Sequence, residues 1–198
     1  SGRVTAIAPH PTDPARIWIG TSRGGGWRTD DGAVTWRPLT DDQPSLAIGA
    51  LAAGTDDPDV LYAGTGEGNV QLYSTVYPQS SAPGVYLGVG VLRSSDGGAT
   101  WSSHAAPLLA GASFYRLAVD RADANRAFGA TSRGLVRTTD GANWALLTGG
   151  GLPPLSADVI ACCDVVIDRS DPTGNTVYAA FWGSGIYRTT DARSTSPT

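Results

Sequence analysis

The chain has no lysine and no methionine, and among its 198 residues there are only two cysteines, two histidines and three phenylalanines. All fourteen basic residues are therefore arginine, spread thinly over a chain of net charge −4, so no polybasic face exists to hold nucleic acid or anionic lipid. The missing lysine and methionine lead us to expect a GC-rich genome, with a mature or excised piece of a longer protein as the alternative reading. Long apolar runs are absent too. A stretch such as Leu108 to Ala112 falls far short of the roughly 20 residues that cross a bilayer, so no membrane span is expected, and no charged-then-apolar leader precedes Val4. Extended helical periodicity is not evident either.

The two cysteines are neighbours, Cys162 and Cys163, inside the strand-like run Val159 to Ile167. Adjacent Cα atoms lie about 3.8 Å apart, shorter than the usual disulfide range, so a vicinal bond would be strained. Two buried thiols filling the core are one reading; a strained vicinal disulfide is the other, and neither fixes the redox compartment. His10 and His104 stand alone next to turns and match no metal-ligand spacing, so neither a metal nor a cofactor is expected. The string from Gly64 to Gly68 lacks the Lys-Ser/Thr of a phosphate loop, and no helical pattern follows it.

What the chain does have is 26 glycines, 13 prolines and a recurring string. Ser94 to Trp101 reads SSDGGATW; Thr29 to Trp36 reads TDDGAVTW; Thr138 to Trp144 is one residue shorter; Thr189 to Thr195 never reaches a tryptophan. Self-similarity of this kind marks a repeat architecture. Placing Asp13 on Asp57, Asp123 and Asp171 brings Ile7, Leu51, Leu117 and Val165 to one position on the inward side of a strand. It also aligns Trp18, Tyr62, Phe128 and, after a two-residue insertion, Tyr178, and then Gly20, Gly64, Ala130 and Ala180. The Asp13 series is spaced 44, 66 and 48 residues, so the second unit carries an insertion, which falls at Gly68 to Gly88.

Each unit supplies four short alternating or β-branched segments separated by turn residues; in the first they are Arg3 to Ala8, Arg16 to Gly20, Gly25 to Thr29 and Thr35 to Leu39. Four antiparallel strands repeated radially make a β-propeller blade. The expected fold is thus all-β, with about four blades near 3–40, 46–105, 113–148 and 159–198, the last short of its fourth strand and the whole part of a larger propeller. Such an open fan exposes sheet edges and blade faces, which leaves self-association open.

With its Ser/Thr-x-Asp-x-Gly-x-Thr-Trp strings between third and fourth strands, the chain resembles the Asp-box, or BNR, repeat family. The opening run GRVTAIAPHP…IGTSRGGGW is most like the xyloglucanase and sortilin-like group. The resemblance implies that Asp31, Trp36, Asp96, Gly98, Trp101, Asp140, Trp144 and Asp191 maintain the fold at peripheral turns. It further implies that ligands meet the loops between second and third strands. Those loops are Thr21 to Gly25, Gly66 to Gly88, Thr131 to Gly134 and Phe181 to Gly185, and they carry Arg23, Glu67, Tyr73, Tyr77, Tyr86, Arg133 and Trp182. Aromatic rings beside arginine and an acid suit sugar rings and their hydroxyls, although each could serve only to pin a loop or fill the core. In the xyloglucanases the first of these loops holds a catalytic aspartate in a Thr-Asp-x-Gly-Gly setting. Here Ser22 stands in its place, and a hydroxyl does not serve as general acid or base there. The sialidase Arg-Ile-Pro motif finds only an echo, Tyr115-Arg116-Leu117, in the wrong unit. No catalytic residue is therefore named. The primary expectation is a secreted, extracellular recognition scaffold for a polysaccharide or a protein. The competing expectation is a glycoside hydrolase, xyloglucanase- or sialidase-like, whose active site is completed by other blades.

Overall fold

The computed structural model describes residues 3–68, 86–156 and 161–198. Their strands fall into four antiparallel sheets, each formed in chain order. The first contains β1 (Val4–Pro9), β2 (Ile17–Thr21), β3 (Gly26–Thr29) and β4 (Arg37–Pro38); the second contains β5 (Ile48–Ala53), β6 (Leu61–Thr65), β7 (Val91–Ser94) and β8 (Ser102–His104). The third contains β9 (Phe114–Val119), β10 (Ala127–Thr131), β11 (Gly134–Thr138) and β12 (Trp144–Leu146), and the fourth has three strands, β13 (Cys162–Ile167), β14 (Val177–Phe181) and β15 (Gly185–Thr189). The first strands β1, β5, β9 and β13 neighbour one another in sequence order, so the sheets stand as four propeller blades side by side. Among the described residues the helical structure is a single 3-10 turn at Pro107–Leu109, and no helix is long and apolar enough to cross a membrane.

Local chemistry sets the strand ends. Between first and second strands the aligned aspartates each close the same turn: Asp13, Asp57, Asp123 and Asp171 accept, on Oδ1, the backbone N–H two residues later at 3.0, 3.2, 3.0 and 2.9 Å. This is the Asx turn that favours aspartate at such sites. Strand β4 is two residues long against an expected five, although the contact with β3 continues at Leu39, whose N–H donates to the Gly26 carbonyl at 2.9 Å.

All four first strands also break register at one aligned position. The ladder shifts between Val4 and Ala6, Ile48 and Ala50, Phe114 and Arg116, and Cys162 and Asp164, leaving Thr5, Gly49, Tyr115 and Cys163 as bulged residues. A bulge at a fixed place in every sheet turns the strand and re-aims its side chains, which makes it a feature of the fold rather than a defect.

The core lies between blades. On one face of each sheet sits the aromatic series: Trp18, Tyr62 and Phe128 are 0%, 0% and 1% exposed because each is covered by the following sheet, whereas Tyr178 on the last sheet is 36% exposed. The opposite face receives the preceding blade, which buries Leu117 and Val165 and leaves Ile7 of the first sheet 66% exposed. Ile7 therefore points outward from the first blade, against the expectation that its whole aligned series is inward.

Size matching locks these faces. A Cβ placed on Gly20 would come within 2.5 Å of Ile48 Cγ2, and one on Gly64 within 2.3 Å of Phe114 Cγ. The first-strand residue of the next blade thus enters the hole left by glycine. At the third junction the hole is partly filled by Ala130, and the residue entering the same core is the smaller Cys162. Cys162 is fully buried, while Cys163 at the bulge is only half-buried; both thiols are free. The expectation that the pair fills the core holds for the first of them alone.

Polar clamps sit beside the aromatics. Arg28 donates to the Gly97 carbonyl of the second blade's aspartate turn at 2.9 Å, and Trp18 Nε1 to the same oxygen at 3.1 Å. Arg93 donates to Asn125 Oδ1 at 2.7 Å and lies where a Cβ on Gly141 would be 2.7 Å from its Nε, while Tyr62 donates its hydroxyl to the Ala124 carbonyl at 2.8 Å. Arg137 reaches the carbonyls of Ala192 and Ser194 at 3.1 and 2.7 Å. These arginines occupy one position, three residues before each turn aspartate.

Because Gly64 has no room for a methyl group against Phe114, Gly64→Ala should destabilise the chain by about 1–3 kcal/mol, the usual cost of overpacking a core. Urea unfolding monitored by tryptophan fluorescence measures it, and an unchanged midpoint would refute the size-matching account.

Candidate functional site

Antiparallel order places the turn between third and fourth strands at the opposite end of a blade from the loop between second and third. The two groups of candidate residues therefore separate in space. At the first end Asp31 Oδ1 accepts the Val34 and Thr35 N–H groups at 3.0 and 2.9 Å and the Thr29 hydroxyl at 2.7 Å, and Oδ2 accepts Thr35 Oγ1 at 2.6 Å. Asp96 repeats this with Thr100 N–H at 2.8 Å, Thr100 Oγ1 at 2.6 Å and Ser94 Oγ at 2.7 Å. In the shortened third copy Asn143 replaces the missing threonine, giving Asp140 its N–H and its Nδ2, both at 2.7 Å. The decayed fourth copy uses the distant Thr198, whose N–H lies 2.9 Å from Asp191, together with the Thr189 hydroxyl.

These bonds fix the charge state. Donation by Thr35 holds the Asp31 carboxyl down at about 2. At Asp96 partial burial works to raise the carboxyl, and the donors on Thr100 and Ser94 outweigh it, again leaving it at about 2. Asp140 is held well below the carboxylate range, first by Asn143. The turn also needs left-handed backbone: Gly98 has φ +90°, and Ala33, which replaces the corresponding glycine, still adopts φ +76°. A non-glycine residue there costs roughly 1–2 kcal/mol, so the carboxylate cage overrides a local preference. Trp101 donates Nε1 to the Gly98 carbonyl at 3.1 Å and Trp144 is buried edge-on to Tyr62 and Phe114, whereas Trp36 is half-buried beside the first turn.

At the other end the second-to-third loops emerge. Arg23 is exposed with its guanidinium carbon 4.8 Å from the centroid of Tyr86, close enough for a cation–π contact. Tyr86 bridges to Glu67, whose N–H donates to the Tyr86 carbonyl at 3.0 Å. Glu67 is completely buried, and its carboxylate pairs with Arg3 on the first blade. Arg23, Tyr86, Glu67 and Arg3 thus form one contiguous group across the first two blades. Ser22, 9% exposed, is fixed beside them by its N–H to the Arg3 carbonyl at 3.0 Å. Arg133 is turned to a different partner, the Ala110 carbonyl at 3.0 Å, and Trp182 on the fourth blade is 45% exposed with its N–H on the Ala161 carbonyl. No described contact joins Arg133 or Trp182 to the first group. Tyr73 and Tyr77 lie outside the described residues.

The bulged strands bring further side chains to this end. Burial and then the nearby Cys163 and Glu67 push the Tyr115 phenol up to about 12, so it remains a protonated hydroxyl at neutral pH. The Cys163 thiol is also raised, chiefly by burial. Asp164, the next residue, is exposed and faces Arg116 at 3.8 Å. A one-residue bulge leaves no trace in hydrophobic alternation, but the aligned position two residues before Ile7, Leu51, Leu117 and Val165 marks it. Below these residues the first strands line an axial groove of about 560 Å³, whose polar side chains include Arg116, Arg121 and Arg169.

No family model matches the chain. It is 29% identical over 224 residues to a xyloglucanase of Paenibacillus sp, covering 98% of this chain and 20% of that protein. To an oligoxyloglucan-reducing end-specific xyloglucanase of Emericella nidulans it is 30% identical over 206 residues, covering 96% and 23%. The solved GH74 xyloglucanase of Xanthomonas campestris superposes with a TM-score of 0.69 at 26% identity, over 100% of this chain and 30% of that one. The chain thus spans about a fifth to a quarter of the curated relatives it matches, and its all-β blades correspond to part of a larger propeller-type enzyme.

The folded carboxyls of Asp31 and Asp96, at about 2, lie below the roughly 3.9 of an unfolded chain, so their contribution to stability is complete above that value and is lost as pH falls towards 2. Acid unfolding monitored by far-UV dichroism should show stability dropping between about pH 4 and 2. Asp96→Asn should lower stability at neutral pH and flatten that acid limb; an identical limb in the variant would remove Asp96 from the account.

Proposed function

We propose that the chain is a segment of a secreted Asp-box (BNR) propeller, with blades near 3–40, 46–105, 113–148 and 159–198, and that its second-to-third loops contribute a polysaccharide-binding face to a glycoside hydrolase of the xyloglucanase type. The observation that carries this reading is the similarity of nearly the whole chain to xyloglucanases at 29–30% identity. Supporting it, Arg23 stacked against Tyr86 offers an aromatic plane and a guanidinium above the buried Glu67–Arg3 pair, which suits a neutral glucan carrying many hydroxyls. The role assigned to the segment is binding. Ser22 occupies the position where the resemblance places a catalytic aspartate, and hydrolysis of a glycoside requires two carboxyl groups flanking the bond. The turn aspartates are structural on this reading: their oxygens are committed to neighbouring donors and their low proton affinity makes them poor acids and bases near neutral pH.

Titration of the chain with xyloglucan oligosaccharides by calorimetry should give saturable binding, weakened roughly 10-fold by Arg23→Ala or Trp182→Ala, a loss of about 1.4 kcal/mol. Absence of heat with the unaltered chain would sink the proposal. The second reading, hydrolysis by this chain itself, rests on the buried Glu67 and predicts release of reducing ends from xyloglucan that Glu67→Gln abolishes. On the binding reading no such release occurs.

A further inference from the structure

Many arginines of the chain are claimed by an acid: Arg16, Arg28 and Arg37 surround Asp30, and Arg126 and Arg193 flank Asp120. Three along the axis are not so held. The residues two before the aligned aspartates Asp13, Asp57, Asp123 and Asp171 are Pro11, Thr55, Arg121 and Arg169, and all four line the axial groove of about 560 Å³. Arg116, exposed on β9, joins them, and the three arginines also line an adjoining recess of about 180 Å³. Among the described residues no aspartate or glutamate lines either space, although the chain as a whole carries a net charge of −4. The neighbouring acids are engaged elsewhere. Asp120 is fully buried with its two oxygens 3.0 and 2.9 Å from Arg193 Nη2, and Asp168 accepts the Ser170 N–H and hydroxyl at 2.8 and 2.7 Å. Asp164 stands 3.8 Å from Arg116, too far for a hydrogen bond. Arg121 Nη1 donates to the Arg169 carbonyl at 2.8 Å, which fixes its guanidinium at the junction of the third and fourth blades through one of its five donors.

We propose that this groove binds a compact oxyanion of two or more charges, a phosphate or a polycarboxylate, held by Arg121 and Arg169 from adjacent blades and by Arg116 from β9. The planar guanidinium fork matches the paired oxygens of both anions. The other walls include Leu51, Ala52, Ala53 and Leu117, and apolar walls strengthen the attraction by lowering the local dielectric. Three charges gathered in one groove suit a single small anion, whereas the thinly charged surface outside it offers nothing to a long polyanion. The site faces the axis and does not use the outer faces of the first and fourth blades. Further blades of a propeller stand around a central channel, so they face these arginines across it without covering them.

Calorimetric titration of the 198-residue chain with citrate and, separately, with inorganic phosphate at neutral pH and low salt tests this. Saturable binding of at least one is expected, with a dissociation constant below about 1 mM, and the tighter of the two names the class of anion. Arg116→Gln and Arg169→Gln should each weaken that binding at least about 10-fold with an unchanged dichroism spectrum. Arg169→Gln alters only an exposed side chain and keeps the main-chain carbonyl that Arg121 meets. Arg37→Gln, which removes a charge from the peripheral strand β4, should bind as the unaltered chain does. Heat from neither anion, binding insensitive to both Arg116→Gln and Arg169→Gln, or equal weakening by all three substitutions would overturn the proposal.

Discussion

The contact on which the rest of this structure depends is the insertion of a first-strand side chain into the hole beside the preceding blade's aromatic residue. Single four-stranded sheets bury little on their own, and their stability comes from neighbours that cover both faces. The hole and its filler are tuned as a pair. Glycine at 20 and 64 admits isoleucine and phenylalanine, and alanine at 130 faces the buried thiol of Cys162. The pairing explains why a cysteine with its thiol pushed up to about 12 stands in the core. It acts as a small apolar filler with no reactive role, and its half-buried neighbour differs because it occupies the bulge.

Around this contact the polar groups follow a second rule, that each turn serves two blades at once. The aspartate organises the turn through bonds to its own following residues, and the second and fourth turns offer main-chain carbonyls to Arg28 and Arg137 of the preceding blade, whereas Arg93 reaches Asn125 Oδ1 of the next blade and packs against Gly141 of its turn. At Gly97 that carbonyl receives both Arg28 and Trp18, so a buried aromatic ring and a largely buried cation are registered by one acceptor. Hydrogen bonds to a charged donor are stronger than neutral ones, and their geometry fixes how far one sheet can slide over the next. The decay of the fourth turn does not break the rule: Arg137 still meets the carbonyls of Ala192, Ser194 and Thr195.

Features set by local chemistry were legible in the sequence. The Asx turns at Asp13, Asp57, Asp123 and Asp171, the aspartate turns and the aromatic series follow from residue type and spacing, and they determine the all-β blade fold. What escaped was either non-local or silent in pattern. The clamp arginines stand at a constant offset from the turn aspartates, but an exposed arginine ordinarily reads as a solvated surface residue, and only the neighbouring blade shows its partner. The bulge adds one residue without changing which residues are apolar, so Tyr115 and Cys163 gave no signal as residues near the loop end. Among the candidate site residues, Arg23, Glu67 and Tyr86 come together because a long insertion returns to pair at Glu67, an outcome no spacing rule encodes. Arg133 failed to join them because a main-chain carbonyl at Ala110 claims it.

The separation of the two ends of each blade decides where chemistry can reside. Seventeen of the eighteen acidic residues are aspartates, and many serve turns in which their oxygens accept several donors. A carboxylate held near 2 by such donors is ionised throughout the neutral range and returns a proton only reluctantly, so adding more of them creates no general acid. Glu67, the chain's single glutamate, is different in kind: it lies at the loop end, is fully buried, and answers an arginine from another blade. The Arg3 side chain that meets it stays half exposed, so the pair ties a buried carboxylate to the surface of the first blade. Such a pair is well suited to hold a surface in one shape, joining the first two blades beneath Tyr86 and Arg23. The arrangement around Glu67 therefore holds the loop end of the first two blades in one shape.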